Sequence, residues 1–186
     1  HHTSVHIVGG AVRRILGPHI YQAGANKAVE SARLDITHYN RLTRQDLDSI
    51  EKMANEVIVQ VHKTEKTILN RKDADRKHGF DLYQGGAPKG NMIRVLRISD
   101  HDIQACGGTH HDEIGQIGSI RLVRSNAVQD GVERLHIVAG QAALDYARQQ
   151  DGILRQTGEV FGVNVADVPK TAERFFGEWK EQRKRI

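Results

Sequence analysis

Two pairs of metal-binding side chains stand out in this sequence, about a hundred residues apart. His2 and His6 are separated by one helical turn, a spacing that brings both imidazoles onto one face of a helix. Cys106, the only cysteine, and His110 repeat the spacing, and the two glycines between them permit a tight loop. One thiolate with three imidazoles is a ligand set that suits zinc. The sequence therefore predicts one zinc ion held by His2, His6, Cys106 and His110.

The spacing alone leaves other interpretations open. His1 and His2 could be the remnant of a purification tag, and Cys106 could be an inert buried thiol. Peptide hydrolysis is disfavoured, because helical metalloproteases carry a glutamate after the first histidine and Thr3 stands there. Four protein ligands usually close a zinc shell, so the role of the metal, catalytic or only shaping the pocket, also stays open.

Hydrophobic periodicity indicates the elements that must position these ligands. Helices are predicted over residues 3–16 and after Thr43, which caps the second helix together with Asp46. Residues 22–24 are expected to form a loop. Strands are predicted at residues 32–39, 63–69, 92–98, 102–105, 117–123 and 132–138. We predict an α+β fold, with a mainly antiparallel sheet packed with the first two long helices and followed by a C-terminal helical extension.

A change in composition at Gly140 divides the predicted fold into two parts. Residues 1–140 form a zinc-containing domain, and residues 141–186 form the helical extension. The last helix of the extension is predicted to begin at Pro169. Its apolar face either completes the core or meets a partner or a second copy, and it comprises Ala172, Phe175, Phe176 and Trp179.

Overall composition restricts the class of protein and its partners. Lys and Arg number 27 against 23 Asp and Glu, and the resulting charge of +4 favours anionic partners such as nucleic acid. No apolar run is long enough to span a bilayer, so a membrane-spanning protein is excluded and no membrane partner is expected. A single cysteine cannot form an internal disulfide, which favours a reducing compartment, and we expect the cytoplasm.

Five stretches together resemble the editing domain of alanyl-tRNA synthetase, and the similarity covers nearly all of residues 1–140. These stretches are residues 2–6, 12–17, 22–24, 33–38 and 106–110. The intact Cys-Gly-Gly-Thr-His string, together with the upstream histidine pair, is specific to that family and to its free-standing relatives, which deacylate mischarged alanine tRNA. The loops at residues 83–86 and 129–134 look most like those of the archaeal branch.

The resemblance implies an activity and a set of site residues. The four predicted ligands would hold zinc, and the site would hydrolyse the ester of seryl- or glycyl-tRNA(Ala) at the acceptor end of the tRNA. Gln22 matches a glutamine near the editing pocket, and it becomes the candidate catalytic and substrate-binding residue. Arg33 and Asp35 match the strand motif of the family and are substrate-binding candidates, although such a pair is as often a cross-strand ion pair.

Two positions depart from the family pattern. Val5 and Ala25 stand where relatives often carry a threonine and a serine. Recognition of a serine hydroxyl would then fall to another side chain, and Ser4 is the substrate-binding candidate, with Thr3 as its alternative.

The resemblance also implies a role for residues 141–186, which would begin a dimerisation and tRNA-binding region and so provide a homodimer contact. Two alternatives to a synthetase fragment stay open. One is a free-standing editing deacylase, against which the helical tail argues. The other is a structural, zinc-stabilised module that binds tRNA or a protein partner and hydrolyses nothing.

Overall fold

The computed structural model describes residues 1–184 and contains two compact units, residues 1–143 and a helical unit from residue 144 onward. The helices of the described part are α1 His2–Leu16, α2 Arg44–Val59, α3 Arg71–His78, α4 Gln141–Phe161 and α5 Val168–Lys184. The strands are β1 Gln22–Lys27, β2 Ala32–Thr37, β3 Thr64–Asn70, β4 Met92–Ile98, β5 Asp102–Ala105, β6 Ile120–Gln129 and β7 Val132–Ala139. The predicted α+β class is confirmed.

The inner face of the larger sheet is part of the main hydrophobic core of the first unit. Its strand order is β1-β2-β7-β6, and every neighbouring pair is antiparallel. The inward-facing side chains of the two central strands are buried, namely Leu34, Ile36, Leu135 and Ile137. The apolar stripes of α1 and α2 join the same hydrophobic cluster. This core holds α1, and with it the first ligand pair, in a fixed position.

The remaining three strands form a second, smaller sheet. It has the order β3-β4-β5, is antiparallel throughout, and packs on its own small core of Ala74, Leu82, Ile93 and Val95. The strands are antiparallel as predicted, but they form two sheets rather than the single sheet that was expected. The segment that follows β5 carries the second ligand pair.

The first strand corrects one expectation from the sequence. Residues 22–24 were expected in a loop, but they begin β1, which pairs with β2 from Gln22 opposite Ile36 to Lys27 opposite Ala32. The prediction is wrong because β1 has no alternating apolar pattern to reveal it. Its backbone N–H and C=O groups are satisfied by the neighbouring strand, which is a tertiary effect.

The second helix begins as its sequence predicts. The Thr43 hydroxyl accepts a hydrogen bond from the Asp46 backbone N–H at 3.1 Å, and the Asp46 carboxylate accepts one from the Thr43 backbone N–H at 2.8 Å. The buried apolar residues of α2 end at Ile58. Val61 lies beyond the helix with a positive φ of 50° and is exposed, so it is no part of the core.

The second unit consists of α4 and α5. Pro169 is the second residue of α5, in its first turn, where a proline fits because the first N–H groups of a helix have no partner within it. Within this unit Phe161 stacks on Phe175 and Phe176 stacks on Trp179. Arg185 and Ile186, the end of the predicted extension, lie outside the described residues. No helix of the described part is both long and apolar enough to cross a membrane.

Candidate metal centre

The first ligand pair lies in the first two turns of α1. The helix begins at His2, so His2 and His6 lie one turn apart on one face, with ring centroids 5.4 Å apart. The opposite faces of these turns are filled by buried apolar side chains such as Ile7 and Val8. Packing against the main core therefore fixes the direction in which the two imidazoles point.

The second ligand pair lies in the loop that follows β5. Arg94 donates from Nε to the carbonyl oxygen of Cys106 at 2.8 Å, and its Nη2 donates to the carbonyl oxygen of Gly108. Lys66 Nζ donates to the carbonyl oxygen of His110 at 3.1 Å. Two cationic side chains from the small sheet thus hold the backbone of this loop in place.

Gly108 is required by the close approach of the two pairs. A Cβ atom at this position would lie 1.9 Å from Cε1 of His2, a separation that no side chain can tolerate. A Cβ atom at Gly107 would meet nothing within 4 Å. The two glycines are therefore not equivalent, and only Gly108 makes room for the His2 imidazole.

The structure brings the four predicted ligands together. One donor atom from each of His2, His6, Cys106 and His110 lies within 4.8 Å of the other three. Cys106 Sγ is 3.4 Å from His2 Nε2 and 3.3 Å from His110 Nε2. Tetrahedral zinc with ordinary Zn–N and Zn–S bonds separates its ligand atoms by roughly 3.3–3.6 Å. These two separations match tetrahedral zinc, and the four donor atoms lie close enough together to surround one metal ion.

Neighbouring polar groups orient the imidazoles. His6 Nδ1 donates to Asp102 Oδ2 at 3.1 Å, which leaves Nε2 of His6 for a metal. Asp102 is 4% exposed and also accepts hydrogen bonds from Arg13 and from Gln104 Nε2. Thr3 Oγ1 lies 3.4 Å from His110 Nδ1, so the ring of His110 likewise turns Nε2 towards Cys106.

The electrostatics of the cluster favour an ionised thiol. Burial by itself would raise the pKa of Cys106, but hydrogen bonds from His110, His2 and His6 lower it to about 3. Burial by itself would lower the pKa of His6, but hydrogen bonds to Asp102 and Cys106 raise it to about 9. The thiolate is the form of cysteine that binds metals.

Gln22 contacts residues outside the tetrad. Its backbone N–H donates to Gln84 Oε1 at 3.0 Å, and its side chain covers Gly85, where a Cβ atom would lie 2.1 Å from Gln22 Nε2. Gln84 is itself buried. Gln22 therefore packs against the segment at residues 84–85.

The two candidate residues on β2 differ, because Asp35 forms an ion pair and Arg33 is exposed to solvent. Asp35 is buried and forms a bidentate ion pair with its register partner Arg134, at 2.7 and 2.8 Å. Arg33 is exposed, opposite Asn26 on one side and His136 on the other. The cross-strand ion pair considered from the sequence therefore exists, and Arg134 rather than Arg33 forms it.

Ser4 differs from the four ligands in its placement. It lies two residues after His2, about 200° around the helix axis, so it faces away from the side that carries both histidines. Its side chain is buried, and its hydroxyl has no hydrogen-bond partner among the described residues. Thr3, its alternative, contacts a ligand directly.

Sequence reasoning missed Asp102. A period of two places Asp102, Gln104 and Cys106 on one side of β5 and its continuation, and Asp102 and Gln104 are buried. The signal available in the sequence was the spacing alone, which places Asp102 and Gln104 in steps of two before the only cysteine.

Comparison with known proteins agrees with this fold. Residues 93–136 match the family described as threonyl and alanyl tRNA synthetase second additional domain, and the antiparallel sheets with their packed helices are consistent with that match. Along its whole length the chain is 48% identical to alanine–tRNA ligase of Methanopyrus kandleri and of Thermococcus kodakarensis. It is 45% identical to the same enzyme of Pyrococcus furiosus. The predicted resemblance to archaeal alanyl-tRNA synthetase is confirmed, and the chain spans 20% of the length of each of these relatives.

Proposed function

We propose that this chain is the editing part of an alanyl-tRNA synthetase and hydrolyses the ester of seryl- or glycyl-tRNA(Ala). The observation that carries the proposal is the convergence of His2, His6, Cys106 and His110 within 4.8 Å, in a chain 48% identical to alanine–tRNA ligases. We propose zinc as the metal, because a thiolate and three imidazoles at this separation match its preferences.

The need for such a site follows from the size of the amino acids. A pocket built for alanine cannot strongly reject glycine, which is smaller, or serine, which adds one hydroxyl, because such differences amount to about 1–3 kcal/mol. A second, hydrolytic site removes the wrong products. The reaction adds water across the ester between the amino acid and the terminal ribose, and releases the free amino acid and the tRNA.

The residues of the site would have different roles in the proposed reaction. The tetrad would hold the ion, which would supply a Lewis acid for polar groups of the substrate if its shell opened or expanded beyond these four ligands, and would otherwise shape the pocket. Asp102 and Thr3 fix two of the imidazoles that form the wall of the site. Gln22 remains the proposed catalytic and substrate-binding residue, because its amide is able both to donate to and to accept from an ester or a hydroxyl.

The remaining candidates keep lesser roles in the proposal. Arg33 is an exposed cation that suits the ribose-phosphate backbone. Asp35 would bind substrate only by sharing its carboxylate with Arg134. Ser4 would serve a serine hydroxyl only after a change in its surroundings, and we rank it below Thr3.

The partners and location follow from the same proposal. The acceptor end of tRNA(Ala) is the expected nucleic-acid partner, and the cytoplasm, where tRNA is charged, is the expected location. We propose that residues 1–140 form the editing domain and that residues 141–186 begin the dimerisation and tRNA-binding region. The exposed Phe175, Phe176 and Trp179 of α5 support a homodimer contact there.

The test is a deacylation assay with measured metal content. The chain is incubated with seryl-, glycyl- and alanyl-tRNA(Ala), and zinc is quantified in the same preparation. We expect loss of the seryl or glycyl ester with the alanyl ester spared, and slower loss in Gln22→Ala at unchanged zinc content. Survival of all three esters despite bound metal would favour the zinc-stabilised binding module instead.

A further inference from the structure

The side of the main sheet that points away from the main core is polar and partly exposed. Strand register places its residues in two rows that cross all four strands, one of Asn26, Arg33, His136 and Arg124, and one of Gly24, Asp35, Arg134 and Asn126. We refer to these eight residues as the outer face. They alternate along the strands with buried residues such as Leu34 and Leu135, which face the core and α1. The outer face is therefore on the opposite side of the sheet from the helix that carries two of the candidate metal ligands.

The outer face carries more positive than negative charge. Three of its eight residues are arginines, and Asp35 is the only acid among them. The Asp35 carboxylate is already used by Arg134, which donates to both of its oxygens. Arg33 and Arg124 are exposed, and within residues 1–184 neither has a hydrogen-bond or ion-pair partner. Two guanidinium groups on this face are therefore free to bind an anionic partner.

His136 lies between the two free arginines in the first row. Register places Arg33 on one side of it and Arg124 on the other, so the two arginine Cα atoms are two strand spacings, about 10 Å, apart. Burial lowers the pKa of His136, and the nearby Arg124 and Arg134 guanidinium groups lower it further. The His136 ring is held by a 2.8 Å hydrogen bond from Nε2 to Asn126 Oδ1. The arginines thus produce a positive potential across the middle of the sheet.

We propose that the outer face binds the phosphate backbone of double-helical RNA, with Arg33 and Arg124 each contacting phosphate oxygens. Guanidinium groups suit phosphate because they donate two parallel hydrogen bonds. The four strands of the main sheet contain no Phe, Tyr or Trp, so this face offers no aromatic platform for single-stranded bases. A double helix of RNA instead presents a wide, shallow groove bordered by phosphates to a broad protein surface. The inference rests on the proposed function only in taking the stem of tRNA(Ala) as the source of this helix.

The probe is a fluorescein-labelled RNA hairpin with the acceptor-stem sequence of tRNA(Ala) and no amino acid, titrated with the full chain at several NaCl concentrations while fluorescence anisotropy is followed. In the double variant Arg33→Gln/Arg124→Gln, affinity at low salt should fall by about tenfold or more. The plot of log affinity against log salt should become shallower by about 2, because two phosphate contacts are lost. A single strand of the same composition and poly-L-glutamate should compete poorly with the hairpin. Equal competition by either one, or an unchanged affinity and slope in the double variant, would overturn the proposal.

A second double variant separates the outer face from net charge. Arg44→Gln/Arg76→Gln removes the same two charges from exposed sites on α2 and α3, and it should retain the hairpin affinity and salt slope of the unsubstituted chain. An equal loss in both double variants would contradict a specific surface. Should the first double variant fail to fold by circular dichroism, Arg124→Gln alone decides, with a slope shallower by about 1. Because the hairpin carries no ester, this result is independent of whether the chain hydrolyses seryl- or glycyl-tRNA(Ala).

Discussion

Two neighbouring glycines show how closely the metal centre depends on individual residues. The sequence predicted all four ligands because their types and spacing are distinctive, and it predicted that both glycines serve a tight loop. It could not reveal that Gly108 alone lies against His2, because this contact joins residues 106 positions apart in the chain. Long-range contacts of this kind also explain why Asp102 was missed and why Asp35 pairs with Arg134.

Substitution at Gly108 should disrupt metal binding. In Gly108→Ala the new methyl group would displace the His2 ring, because it would lie 1.9 Å from Cε1, and zinc affinity should fall by about tenfold or more. Zinc content by mass spectrometry after dialysis against a chelator measures the effect. Gly107→Ala is the matched control, since its Cβ atom would meet nothing, and it should retain zinc. Equal zinc retention in both variants would contradict the assigned geometry.

Substitution at Asp102 should weaken the site without removing a ligand. Asp102→Asn keeps the shape of the side chain but removes the charge that holds the His6 N–H, and zinc affinity should fall by about 10–100-fold. Competition with a chromogenic chelator gives the affinity. Asp100→Asn, an exposed carboxylate close by in the chain, should bind zinc normally. An unchanged affinity in Asp102→Asn would mean that His6 needs no such partner.

At the scale of elements, the two long helices of the first unit were predictable because their apolar residues repeat with the helical period. The Thr43–Asp46 capping box was also visible in the sequence. Strand β1 was not, since its residues Gln22–Lys27 carry no period-two pattern and only the pairing with β2 defines them. The separation into two sheets was hidden for a similar reason, because strand order is a property of the whole chain and not of any one segment.

The capping box should contribute measurably to stability. Thr43→Ala removes the hydroxyl that accepts the Asp46 N–H, and the free energy of unfolding should fall by about 1 kcal/mol. Urea unfolding followed by circular dichroism measures the difference. Ser49→Ala within α2 loses only a hydroxyl bonded back to Gln45, and it should leave stability nearly unchanged. A larger loss in Ser49→Ala than in Thr43→Ala would contradict the role of the cap.

The cap should also depend on pH. Hydrogen bonds from the Thr43 hydroxyl and backbone lower the pKa of Asp46, so its contribution is present above the pKa of the unfolded carboxyl group, about 3.9. The contribution is lost as the pH falls through the lower, folded value. Unfolding of the wild type and of Asp46→Asn should therefore differ at pH 7 and converge at low pH. A difference that grows on acidification would reverse the predicted sign.

At the scale of the whole molecule, the candidate metal centre lies entirely in the first unit. All four ligands, Asp102 and the main hydrophobic cluster fall within residues 1–143. The sequence placed a boundary near Gly140 from composition alone, and the chain divides into its two compact units between residues 143 and 144. The sequence does not identify a partner of the second unit, because an apolar helix face does not determine which molecule binds to it.

A truncated chain tests the independence of the first unit. A fragment of residues 1–143 should fold and bind one equivalent of zinc with the affinity of the full chain, since it retains every ligand and the core. Isothermal titration with zinc gives both the stoichiometry and the affinity. Loss of zinc binding in a fragment that remains folded by circular dichroism would show that the second unit is part of the site.

The central claim is that His2, His6, Cys106 and His110 hold one zinc ion, and X-ray absorption at the zinc edge tests it most directly. The zinc-loaded chain should show one sulfur at about 2.3 Å and three nitrogens at about 2.0–2.1 Å. In Cys106→Ser the sulfur contribution should disappear. A spectrum with only nitrogen and oxygen neighbours in the unsubstituted chain would contradict the account.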